Sequence, residues 1–170
     1  FQNYTLEVAG TGTWTGTATI QSGSAAVLRV ASGGTLAIQG DPTLLYNLGG
    51  AQTALNVVGT LSRTTSANVA TVSAALNDSG TVSVTSGTLR LSGGGTSSGA
   101  YTVAGGVLDL NGGTHTLAVS TAVSGAGTVQ VSGGTVNANG PVSIGTLSIT
   151  GGALLMGGNN VSVTGNFSTS

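Results

Sequence analysis

Glu7, Asp41, Asp78, Asp109, Arg29, Arg63, Arg90 and His115 are the only acidic and basic side chains in 170 residues. Carboxylates gathered within a few ångströms bind calcium or pass protons, and a neighbouring arginine or lysine neutralises an anionic substrate. Here the four acids are spread widely along the chain and there is no lysine. That spacing points away from an enzyme. His115 shares parity with Leu117 and Val119, which places it on an inward side near a bend, and no second His or any Cys exists to share a metal. The run Gly93–Gly95 lacks the lysine and the following helix of a phosphate loop. No catalytic residue, metal or cofactor is expected.

The elements that would carry these residues are short and repeated. VLDLNGGTHTLAVSTAVSGA (107–126), GTVQVSGGTVNANGPVSIG (127–145) and TLSITGGALLMGGNNVSVTG (146–165) align almost without gaps. Each holds three apolar-x-apolar runs separated by glycine or Asn-Gly turns, the signature of stacked coils. Read backwards, Thr81–Gly106, Leu55–Gly80, Val27–Ala54 and Thr5–Ala26 form longer coils, with insertions at GGGTSSG, SRTTSAN and GDPTLLYNLGGAQ. The expected fold is all-β: a right-handed parallel β-helix with three short strands per coil and about seven coils. It forms one domain over 1–170, with decorated coils in 5–106 and regular coils in 107–165. A two-sheet solenoid or stacked Greek keys is the competing fold, for which Asn111-Gly112 and Asn139-Gly140 could supply hairpin turns.

Alternation assigns the core. Leu6 and Val8, Leu28 and Val30, Leu36 and Ile38, Val82 and Val84, Leu89 and Leu91 face inward. So do Leu108 and Leu110, Val129 and Val131, Val136 and Ala138, Val142 and Ile144, Leu147 and Ile149, Val161 and Val163. Composition agrees with ordered β-structure: only 4% of residues are charged, yet 39% are hydrophobic and mean hydropathy is +0.37, so there is apolar surface to bury. With a net charge of −1 and three arginines, no basic stripe exists for nucleic acid. No apolar run is long enough to span a membrane as a helix.

GTGTWTG (10–16), SGTLRLSGGGTSSGAYTV (86–103), LNGGTHTL (110–117) and SGAGTVQVSGGTV (124–136) resemble repeats of large bacterial secreted and surface proteins. These are adhesins of the autotransporter and filamentous-haemagglutinin type, built on pectin-lyase-like right-handed β-helices. The resemblance implies extracellular display at a bacterial cell surface and a role in adhesion or scaffolding.

Function is therefore sought on surfaces. Glu7 and Arg29 are outward residues of LEV and LRV in successive coils and are expected to pair. Arg63 and Arg90 are expected to be solvated. Leu44, Leu45, Tyr46 and Leu48 form an apolar insertion, a candidate contact surface, while Tyr101 has inward parity. Thr11, Thr13, Thr15, Thr17 and Thr19 share one side of any continuous strand, a candidate ice-binding row, although no other coil shows a matching row. No cap is legible at either end. The expectation is a non-catalytic structural or adhesive solenoid: a rod segment of a surface adhesin, or a protomer of a fibre joined end to end. Its partners would be its own copies, a continuing chain, or surface glycans. Ice binding and polysaccharide binding are the alternatives.

Overall fold

The computed structural model describes all residues 1–170 and contains 24 short strands and no helix. Every ladder between strands is parallel and links one coil to the next: Thr5–Val8 pairs with Val27–Val30, and Thr11–Trp14 with Thr35–Ile38. Thr19–Ser22 pairs with Thr43–Tyr46 in the same way. The result is a β-solenoid with three faces, two of them continuous eight-stranded sheets. The second face is six-stranded and is continued by the separate pair Val142–Ile144 and Val161–Val163. Pro141 opens that continuation. Ala100 and Ala122 each donate a backbone N–H to a glycine carbonyl on the coil before, whereas proline has none to give. Antiparallel hairpins are absent, so the Greek-key alternative falls.

There are eight coils, not seven. The miscount came from two stretches that each hold four strands. Leu55–Gly80 runs into Ala75–Asp78, which starts a new coil on the first face. The GGGTSSG segment is no loop: Gly95–Ser97 is itself a first-face strand, between Asp78 and Leu117. Regularity also begins earlier than Val107. The longest advances are those from Val27 to its partner Ala54 and from Thr43 to Thr71. Later partners, such as Ala54 and Ala75, Ser97 and Leu117, or Thr135 and Ala153, succeed one another at a nearly even pace.

The interior is one cluster of 28 buried apolar residues arranged in rows. Leu28, Leu55 and Leu76 stack on the first face, and Leu89, Leu108, Val129 and Leu147 on the third. Where the third face passes from Thr43–Tyr46 to Val69–Val72, the pairing slips: Thr43 meets Thr71 and Leu44 meets Val72. The slip is two residues, an even number, so inward residues stay inward. The end coils are correct in parity but open in space. Leu6 is 49% exposed, and Val8, Val161 and Val163 are only partly buried, because no further coil covers them.

Glycine 34, 59, 80 and 99 form a column at the corner between the first and second faces. A Cβ on each would press into the backbone of the coil before: the carbonyl oxygen of Val8 for Gly34, of Gly34 for Gly59, of Gly59 for Gly80 and of Gly80 for Gly99. Close approach, not a left-handed backbone, is the requirement at this corner. The carbonyls of Gly34, Gly59 and Gly80 also accept from the residue that follows glycine one coil on, as Thr60 N to Gly34 O at 2.9 Å and Thr81 N to Gly59 O at 2.9 Å. Hence a glycine stands immediately before the second-face strands that begin at Thr35, Thr60, Thr81 and Ala100. Gly80→Ala should cost about 1–3 kcal/mol through overpacking. Gly10→Ala, where an added Cβ meets nothing within 4 Å, should leave stability unchanged. Urea unfolding of both variants measures the contrast.

Candidate functional site

All three ion pairs join neighbouring coils. Glu7 and Arg29 are rung partners on the first face, with Arg29 Nη1 2.7 Å from Glu7 Oε2, and both side chains remain nearly half exposed. Such a pair contributes about 0–1 kcal/mol. Arg90 lies outward on the third face beside its rung partner Asp109, Nε to Oδ2 2.7 Å. The Arg90 side chain is 40% exposed but it covers Asp109, which is buried and also accepts from Ser132 Oγ.

Arg63 is not solvated. It is wholly buried, the last and inward residue of Thr60–Arg63, stacked between Ile38 and Val84. The alternation TLSR already puts it on the side of Leu61, a signal that its charge conceals. Its guanidinium donates through Nη1 to Gly40 O and through Nη2 to Asn68 O at 3.1 Å and Asp41 Oδ1 at 2.7 Å. Ser66 Oγ and Asn68 Nδ2 also donate to Asp41. These hydroxyl and amide bonds, with the guanidinium, hold the Asp41 carboxyl down at about 2. The cluster pins two coils at one corner and engages both oxygens of Asp41.

A second polar group lies inside the solenoid. Asp78 ends Ala75–Asp78 facing inward between Val57 and Ser97. Ser97 Oγ donates to its Oδ2 at 2.9 Å and Gly80 N to its Oδ1 at 3.0 Å, yet burial pushes its pKa up. Buried Tyr101 sits against Ser97, and burial drives its phenol up as well. His115 is inward and buried between Gly95 and Val136, as its parity requires. Burial lowers its pKa against bonds to the backbone of Gly112 and Leu91, and Nε2 has no partner. No three His, Asp or Glu side chains come together.

The apolar segment at 44–48 is not an insertion. Thr43–Tyr46 is a regular third-face strand and Leu44 is core at 0% exposure. Leu45 and Tyr46 are half-buried, the Tyr46 hydroxyl donates to Gly50 O, and only Leu48 is exposed. The threonine row is also redistributed. The strand Thr11–Trp14 ends before a turn at Gly16, so Thr15 and Thr17 lie in the corner and Thr19 begins the third face. A different row replaces it. Thr11, Thr35, Thr60 and Thr81 are successive rung partners on the second face, a column that strand-by-strand reading missed. Beside it run Thr13, Ala37, Ser62, Ser83, Thr102 and Ser124.

The chain matches no protein-family model, no curated protein and no solved structure. Its likeness to adhesin repeats thus rests on the repeat phrases, while the parallel solenoid stands on the strand pairing.

The buried carboxyl and the corner carboxylate respond to pH with opposite sign. Asp78, raised in the fold, contributes stability below its unfolded value near 3.8 that is lost as pH rises through the folded value. Asp41, lowered to about 2, contributes stability above 3.8 that is lost as pH falls through about 2. Asp78→Asn should therefore gain on the wild type as pH rises towards neutrality, and Asp41→Asn should lose to it over the range from about 2 upwards. Urea unfolding of the three proteins between pH 2 and pH 7, compared pairwise, reads both signs.

Proposed function

We propose that this chain is a non-catalytic extracellular structural and adhesive solenoid, a rod segment of a bacterial surface adhesin or a protomer of a fibre. The observation that carries the reading is the parallel stacking of eight coils into a three-faced rod. At one end Leu6 is exposed and Val8, Trp14 and Ile20 are partly covered. At the other, Leu147, Ile149, Leu154, Met156, Val161, Val163 and Phe167 line an open apolar mouth. The strands of the first and last coils each keep one unpaired edge on all three faces, all running in the same direction. Such edges accept a further parallel coil, whether of a continuing chain or of a second copy, and a head-to-tail contact between copies would grow into a filament instead of closing. The last coil carries no charge to oppose this docking. The resemblance to adhesin repeats supports the same reading and the cell-surface location.

Electron microscopy of the concentrated protein should show filaments one solenoid wide. Leu154→Asp at one end and Leu6→Asp at the other should each abolish them while leaving the interior coils folded. A wild type that stays monomeric at every concentration would count against self-assembly.

The threonine column favours a second reading, an ice-binding face. The second face presents hydroxyls at rung spacing of ~4.8 Å on a rigid ladder, and it carries no exposed charge, since Arg63 points inward. A thermal-hysteresis assay decides it: activity present in the wild type and lost in Thr35→Tyr and Thr60→Tyr supports the face, and freezing without hysteresis removes it.

A further inference from the structure

A shallow groove of about 400 Å³ lies over the first face and its corner with the second, walled by Arg29, Asn56, Val58, Asn77, Ser79, Thr96 and Ser98 and by Asp78, whose buried carboxyl is engaged by Ser97 and Gly80. Arg29, Asn56 and Asn77 are successive rung partners, so their head groups repeat at ~4.8 Å along the solenoid axis. The hydrogen bonds among them leave donors over. Asn77 Nδ2 donates to Asn56 Oδ1 at 3.1 Å, and Asn77 Oδ1 accepts from Thr96 N at 3.4 Å. The Asn56 amide nitrogen makes no bond within the protein, and Arg29 uses only Nη1, on Glu7. A guanidinium fork with spare N–H groups thus stands one rung from an unused amide donor.

Those donors specify the ligand's chemistry. A guanidinium fork takes a carboxylate through two parallel bonds, and an amide one rung away takes an oxygen of the same unit. Val58, 41% exposed, offers an apolar spot for a C–H face. The Thr96 hydroxyl, on an exposed residue, and Ser98 Oγ, which donates to Asp78 O and keeps its acceptor side, suit the hydroxyls of a following unit. One cation, half engaged by Glu7, is too little for a polyphosphate backbone, which demands several. The axial repeat favours an extended chain over a compact molecule. We propose that this groove binds an acidic polysaccharide, with a uronate carboxylate on Arg29 and Asn56 and the chain running along the solenoid axis. The site stands independently of filament growth, because it lies on the side of the rod and not at its ends.

Glu7 gives the proposal its sharpest test. It competes for Arg29, so removing its charge should strengthen binding, whereas a groove of purely structural side chains would show no such gain. Titration calorimetry with oligogalacturonate is the measurement, with its neutral counterpart and poly-glutamate as comparisons. Glu7→Gln should bind more tightly than the wild type. Arg29→Met and Asn56→Leu should each bind roughly tenfold more weakly, and Thr13→Val, on the second face, should match the wild type. Affinity should fall with added salt. The proposal is overturned if neither wild type nor Glu7→Gln binds, if Arg29→Met binds as well as wild type, or if poly-glutamate or the neutral oligomer binds equally. Melting temperatures confirm that each variant is folded, and should Arg29→Met fail to fold, Glu7→Gln and Asn56→Leu still decide the matter.

Discussion

Every feature of this molecule depends on one constraint: each residue hydrogen-bonds, in parallel, beside its counterpart one coil later. That register turns short four-residue strands into sheets of up to eight strands, and it converts a sequence repeat into columns of like side chains. Apolar columns become the core. Opposite charges on consecutive rungs become ion pairs, as at Glu7–Arg29 and Arg90–Asp109. Asparagines become an amide ladder at Asn56–Asn77. Where the backbone must come closest, at the corner of Gly34, Gly59, Gly80 and Gly99, the column tolerates no side chain at all.

Corners are also where polar groups enter the interior. A loop leaves backbone carbonyls without ladder partners, and burying them unpaired costs about 1–3 kcal/mol each. Arg63 meets that need by turning inward and giving its N–H groups to Gly40 and Asn68, while Asp41 balances its charge. Asp78 does similar work from the opposite sign, taking the N–H of Gly80 and the hydroxyl of Ser97. Such groups join one coil to the next at fixed register, where apolar rows alone would slide more easily.

The three faces end with three chemistries. The first carries an ion pair, amides and a donor-rich groove. The second is hydroxyl-bearing and free of exposed charge, and the third holds Arg90 over Asp109. The sides of the rod thus differ in character while sharing the same ladders beneath.

Alternation within a strand is local, and the sequence by itself was enough to settle it. The inward rows, the inward positions of Tyr101 and His115, the all-β class and three strands per coil follow from parity and turn spacing. Arg63 obeys the same rule, its parity outweighing its charge. Which residue sits beside which is a different matter, because it depends on how each corner closes in space. Gly95–Ser97 has no apolar alternation, and pairing alone makes it a strand. The third face slips by two residues where Thr43–Tyr46 meets Val69–Val72, a shift that alternation within either strand does not record. The threonine column and the Arg29–Asn56–Asn77 row cross coils of unequal length, so their members stand at uneven intervals in the chain. Only the tertiary structure, by closing every coil onto the one before, brings them into line.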